Sequence, residues 1–280
     1  MTRTLAATGT RVRLRKVAWA GAVRHCLWIG ARETVAGKAA LAARFLTFAL
    51  IIAIWASLWR IVPPEALARA HLSYEQVVWY FALTEIVVFS LGHAYWQVED
   101  DLLSGRLTHA LVRPVSYATL VVSEELGRVA VKVIGFGVPT VGLAFVLTGA
   151  IPFGPGVLLP LIVMVFFGGA LFLAVQVLVG LTTAWVGSAR AVFFITQKFV
   201  FVLGGLIVPL TACPPALQRI AWATPFPAML YAPASLMLDP SFGHIAAMLE
   251  IQVAWLCAGV AAITILGAAF ERRILAKGLV

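Results

Sequence analysis

Charge is scarce in this 280-residue chain: Asp, Glu, Lys and Arg together make up 12% of it. A soluble domain carries about 25%. With 62% hydrophobic residues and a mean hydropathy of +0.98, an ordinary water-soluble globule is excluded. Motifs for catalysis are missing as well. No lysine (Lys16, Lys38, Lys132, Lys198, Lys277) is followed by Ser or Thr, so there is no phosphate-cradling GxxxxGK[ST] loop. ATP hydrolysis by that route is excluded. The five histidines are scattered, with no HExxH and no paired Cys/His spacing that would suggest zinc. No GxSxG elbow occurs. Cys26, Cys213 and Cys257 form no CxxC, and they fall in different environments of the topology expected below, so disulfide chemistry is not expected. Passage or signalling is expected rather than enzymatic activity, with no metal and no cofactor bound by this chain.

What is present is a set of long apolar runs. The hydrocarbon core is about 30 Å thick and needs roughly 20 apolar residues of helix. Six runs qualify, at about 41–59, 77–97, 129–150, 157–184, 191–211 and 246–270. Lipid offers backbone groups no partners, and no series of short alternating strands suggests a barrel. The expected fold class is therefore an all-α polytopic membrane protein with six transmembrane helices. Trp55 and Trp59 near the end of the first run suit an interfacial belt.

Orientation follows from Lys and Arg. Residues 1–44 hold nine of the 21: Arg3, Arg11, Arg13, Arg15, Lys16, Arg24, Arg32, Lys38 and Arg44. Arg106, Arg113, Arg128 and Lys132 follow the second run, Arg190 the fourth, and Arg272, Arg273 and Lys277 the sixth. The alternate segments carry Arg60 and Arg69, then none, then Arg219. Basic segments stay in the cytoplasm, which predicts both termini inside. The net charge of +9 is thus a topology signal and not evidence for nucleic acid. No cleavable signal is expected, because the first long apolar run starts near residue 41. The expected organisation is a basic cytoplasmic leader at 1–40, a membrane domain at 41–270 and a cytoplasmic tail at 271–280.

Three segments are more than membrane filler. Between the second and third runs, Glu99-Asp100-Asp101 is followed by Ser104-Gly105, by an apolar face of Leu107, Ala110 and Leu111, and by Pro114. This predicts a helix, a break, a short helix and a new helix on the cytoplasmic face. Spacing alone leaves open a solvated turn or a knob for a groove in a soluble partner. Residues 204–240 are apolar yet contain seven prolines. Short helices after Pro214-Pro215 and after Pro225/Pro227 would bury Leu217, Ile220, Trp222, Met229, Leu230 and Tyr231 as a re-entrant cap, or lie on the outer surface as a hairpin. In the leader, Trp19, Val23, Cys26, Leu27 and Gly30 share one side at helical spacing, which suits an interfacial helix.

Single residues within the runs complete the candidates. Glu85 is a lone acid in the second run, and such residues face a bundle interior or cavity. It would either contact a cationic or amphipathic substrate or bond to a neighbouring helix. Gln176 and Gln197 are further candidates for a pathway. Ala254, Ala258 and Ala262 form a small-residue face for close helix packing.

The segments SGRLTHALVRPVS (104–116), EELGR (124–128) and GGLIVPL…CPPALQRIAWATPFPAMLYAPA (204–234) resemble the type-2 permeases of ATP-binding-cassette exporters. Within them the chain is most similar to the small six-helix permeases encoded as a pair beside one ATPase. The matching positions are Gly105, Leu111, Pro114, Gly205, Pro209, Leu210, Pro214, Leu217, Pro225, Phe226 and Pro233. Gly204, Val208 and Cys213 depart from the pattern. The resemblance implies an interfacial connecting helix in the leader, an ATPase-coupling helix at about 99–113 and re-entrant outer helices at about 212–235. For coupling it implies Leu103, Leu107 and Leu111 as anchors, with Glu99, Asp100, Asp101, Arg106 and Arg113 setting orientation. For the outer segment it implies Pro214, Pro215, Trp222, Pro225 and Phe226. It further implies two copies of a separate ATPase that consumes ATP and Mg, a second permease, homologous or identical, and a small amphipathic substrate. The setting would be multi-pass in the cell inner membrane. A proton-coupled secondary transporter using Glu85 and Glu250 is the alternative. No repeat relates residues 41–150 to 157–270, and a broken segment is expected only in the second half.

Overall fold

The computed structural model describes residues 2–69, 72–90, 92–111 and 115–277, with side chains from residue 19 onward except at 38, 66, 69, 109, 111 and 277. Among these residues there are helices and no strand. In chain order they are α1 (Thr2–Ala36), α2 (Lys38–Arg60), α3 (Pro64–Arg69), α4 (Tyr74–Phe89), α5 (Ala94–Leu103), α6 (Leu107–Leu111), α7 (Tyr117–Thr148), α8 (Leu158–Leu181), α9 (Thr183–Val186), α10 (Ala189–Leu203), α11 (Pro215–Trp222), α12 (Phe226–Met229), α13 (Tyr231–Ser235) and α14 (Phe242–Lys277). Five segments are long and apolar enough to cross a membrane: Ala39–Arg60, Tyr74–Leu103, Tyr117–Thr148, Pro155–Val186 and Phe242–Ala276.

α4 is the central post. Every residue from Val77 to Val87 is buried, as expected of a helix that is apolar on all sides. Its Trp79 indole donates to the Ala150 carbonyl at 2.9 Å, beyond the end of α7. Around it, α2 turns Phe48, Ile52 and Ala56 inward at i, i+4, i+8 spacing and leaves Leu46, Leu50 and Ile54 more than half exposed. α10 likewise exposes Phe194, Ile195 and Phe199. Apolar surface of this extent is costly in water and is natural against lipid.

α1 lies along α7. The Cβ that Gly30 lacks would run into the Glu124 carbonyl, and the one that Gly127 lacks would run into the Leu27 carbonyl. Two opposed glycines thus let the backbones touch. Arg128 bridges the joint, pairing with Glu124, Glu125 and, at 2.7 Å, Glu33. The EELGR stretch is therefore a clamp. Of the stripe Trp19, Val23, Cys26, Leu27 and Gly30, the residues Cys26 and Gly30 are buried at this joint, while Trp19 is half-exposed.

The helices at three expected spans have other bounds than the apolar runs. The second does not run unbroken over 77–97: α4 stops at Phe89, and a new helix starts at Ala94. The third starts at Tyr117, earlier than 129, with Ser116 as N-cap accepting from the Thr119 N–H at 3.3 Å. The Pro114 expected at that helix start lies outside the described residues. The fifth, expected over 191–211, is helical only to Leu203, because Gly205 takes a positive φ of 79° that turns the chain. At 15 residues α10 is about 22 Å long, short of the hydrocarbon thickness.

Candidate functional site

Two places combine exposed or cavity-lining polar groups with a backbone that leaves regular helix. The first is the turn between α5 and α7. α5 ends at Leu103, Ser104 caps it, and Gly105 adopts φ 73°, the left-handed conformation that glycine takes most readily. Arg106 then reaches back, donating to Asp100 Oδ2 at 2.8 Å and to Asp101 Oδ1 at 3.0 Å. The other Asp101 oxygen accepts from the Tyr117 hydroxyl at 2.9 Å. Bonds to Asp100 and Asp101 hold Arg106 further above its ordinary range, so it is a permanent cation. The Tyr117 N–H donates to Glu271 at 2.8 Å, and Arg273 donates to the Ala184 carbonyl, so the end of α14 braces the same corner.

The candidate coupling residues separate into two groups. Leu103 is 70% exposed, and Asp100 and Arg106 are exposed beside it. Leu107 is 1% exposed, packed with Val98, Tyr117, Val121, Leu181 and Phe270. Glu99 is buried too, and its carboxylate accepts from the N–H groups of Ala189 and Arg190 at 3.1 and 3.2 Å. It caps α10, where the N-cap Ser188 makes no such bond itself. Arg113 and the side chain of Leu111 lie outside the described residues.

The second place is the gap in the second span. Ser90 ends α4, with its hydroxyl on the Ile86 carbonyl, and α5 restarts after Gly92 and His93. A Cβ on Gly92 would meet the Glu125 carboxylate, so a side chain there would displace the end of Glu125. The freed Ala94 N–H is satisfied by Gln176 Oε1 of α8 at 3.0 Å. Beside this break is a cavity of about 360 Å³. Its walls carry Arg44 of α2, Phe89 of α4, His93, Tyr95 of α5, Phe172 and Gln176 of α8, and Arg190, Phe193, Phe194 and Gln197 of α10. Tyr95 and Phe193 stack with ring centres 3.9 Å apart, and Arg190 lies over the Trp96 ring. A break at membrane depth is tolerated where the backbone is satisfied by protein or lines a cavity, and here both hold.

Gln176 and Gln197 therefore share one cavity, whereas Glu85 is not part of it. Glu85 is 5% exposed and lies near Trp55, which stacks on Phe81 with ring centres 4.5 Å apart. Sequence reasoning missed the break, Arg44, Tyr95 and Phe193. The signal available was Ser90 and Gly92 two residues apart within an apolar run, a usual cause of helix kinks.

In the outer segment, α11, α12 and α13 follow the prolines as expected. Met229, Leu230 and Tyr231 are buried as expected, but Ile220 is 59% exposed and Trp222 lies at the surface. Pro215 and Phe226 begin their helices, with Pro214 and Pro225 at the N-caps. The Tyr80 hydroxyl donates to the Gly205 carbonyl at 2.7 Å, and Gln252 of α14 donates to the Met164 and Ala228 carbonyls at 2.9 Å.

Residues 73–274 match the family model of the ABC-2 family transporter proteins. No curated protein and no solved structure matches the chain. The chain belongs to the ABC-2 transporter family, and it is a membrane permease of that family.

Proposed function

From that membership we propose that the chain is the permease subunit of an exporter driven by a separate ATPase, which consumes ATP and Mg and docks on the turn at residues 100–106. The observation that carries this reading is the contrast inside that turn. Leu103 is exposed at its tip, while Leu107 and Glu99 anchor it to the bundle. A rigid lever with an exposed apolar tip is what a partner needs to push. Movement of two ATPase copies on binding ATP would shift the turn and, through α5, the broken second span. Differential contacts of Leu103, Asp100 and Arg106 in the two ATPase states would supply the driving free energy.

In this reading both termini are cytoplasmic, and α10 with residues 204–213 is the short fifth crossing of six. The outer helices α11–α13 form a re-entrant cap. α1 is the connecting helix, a second permease completes the pathway, and the assembly lies in the cell inner membrane. The chain itself performs no catalysis. The cavity beside the break belongs to the route of an amphipathic small molecule. A proton-coupled mechanism has less support: Glu85 lies against Trp55 outside the cavity, and Glu250 is exposed.

Co-purification tests the docking. Leu103→Asp should leave the melting temperature of the permease unchanged and abolish recovery of the ATPase subunit. Leu107→Asp should instead lower the yield of folded protein, because it buries a charge without a partner. Full ATPase recovery with Leu103→Asp would refute the docking site.

A further inference from the structure

The cavity beside the broken span has a one-sided charge. Arg44 and Arg190 line it beside the His93 imidazole, and no carboxylate is among its lining residues. The Glu125 carboxylate lies against Gly92 of the wall and is paired with Arg128. Behind the wall, Glu99 Oε2 accepts from the backbone N–H groups that start α10, and its Oε1 lies 3.7 Å from Arg190 Nε, so one carboxylate is shared between the helix start and Arg190 while Arg44 faces the cavity. The remaining walls are aromatic: Phe89, Phe172, Phe193 and Phe194, with Tyr95 stacked on Phe193.

We propose that this cavity binds an anionic amphiphile, with its phosphate or carboxylate head between Arg44, His93 and Arg190 and its apolar part along Phe89, Phe193 and Phe194. Arginine donates in a planar fork that matches carboxylate and phosphate oxygens. Gln197 adds an uncharged donor on the same wall. A cationic ligand would meet two guanidinium groups and no carboxylate among the lining residues. At about 360 Å³ the space is at the small end of ligand cavities. It therefore holds a small amphiphile, or the head and first carbons of a larger one whose tail continues along the exposed apolar face of α10. Calling the occupant cargo rests on the permease reading; its binding does not.

The test uses the full chain in phosphatidylcholine nanodiscs and a diazirine-bearing fatty acid, with the matching trimethylammonium probe as counterpart. Irradiation followed by peptide mapping should place the fatty-acid label on residues 88–95 and 190–197. Arg44→Gln should reduce that label about tenfold, as for losing one charge-assisted bond, with the melting temperature unchanged. Arg190→Gln should do the same, and Arg219→Gln, on the outer segment, should label like the parent chain. Competition by phosphatidylglycerol would mark a bilayer lipid as the occupant, and competition by dodecyl phosphate alone would mark a dissolved amphiphile. Either supports the site. Equal labelling by the trimethylammonium probe, equal competition by inorganic phosphate, or unchanged labelling in both arginine variants would overturn it. The assay needs neither ATP nor the ATPase, so a failed co-purification leaves it intact, and its failure leaves the docking result intact.

Discussion

The turn at residues 99–117 and the outer segment at 204–240 both interrupt the bundle, yet they are held by different forces. The tip of the turn, residues 100–106, is tied by ion pairs at the surface: Arg106 and Asp100 are both more than half exposed, and Leu103 stands out beside them. The outer segment is tied by burial: Met229, Leu230, Ala232, Ala234, Leu236 and Met237 are 0% exposed. Exposed pairs contribute little to stability and can be exchanged for other partners. Closely packed apolar side chains resist displacement. The difference teaches that the tip of the turn can exchange its contacts while the packed 204–240 segment holds its shape.

The comparison breaks most readily at Gly168. A Cβ there would strike the Met229 carbonyl of the outer segment, which as backbone cannot rotate away. Gly168→Val should cost about 3 kcal/mol, as overpacking does, read as loss of monodisperse protein in detergent or a large drop in melting temperature. A normal melt would show that the cap is looser than its burial implies. A smaller effect is expected at Tyr80, which is fully buried with its hydroxyl on the Gly205 carbonyl. Tyr80→Phe should cost about 1–2 kcal/mol by leaving that carbonyl unpaired, measured as a melting shift without change in assembly.

The same logic gives the opposite expectation for the turn. Arg106→Ala removes two surface bonds, so the melt should stay within error while ATPase stimulation by the permease falls. A large melting shift would make the turn structural and remove its contrast with the cap.

The uneven legibility of these regions in the sequence has physical causes. The helical membrane class was plain, because long apolar runs leave the backbone no other way to satisfy itself in lipid. The helices after Pro214 and Pro225 were legible too, since proline is well tolerated at helix starts. The break at Ser90–His93 was not, because apolar periodicity continues from α4 into α5 and hides it. The gap is held by Gln176 of α8 and by the closeness of Glu125 to Gly92, contacts 82 and 33 residues away in sequence. Glu99 looked like a surface charge because it adjoins Asp100 and Asp101. Its destination, the start of α10, is 90 residues along the chain. The cavity inherits both problems, as its walls come from five helices and its cations are single residues in separate runs.

The smallest expected effect lies at the end of the outer segment and separates its packed interior from its polar edge. Asp239 accepts from the Ser241 N–H at 3.0 Å just before α14, with His244 at 3.9 Å. The bond from the Ser241 backbone holds the Asp239 carboxyl below its usual range. A group whose folded pKa is depressed adds stability above its unfolded value and loses it as pH falls through the folded one. Asp239 is more than half exposed, so solvent screens most of this contribution. The parent chain should therefore melt slightly above Asp239→Ala at neutral pH, and the two should converge once the pH drops below the ordinary carboxylate range. A gap that persists in acid would assign the difference to packing of the turn, extending the rigid part of the cap to the first residues of α14.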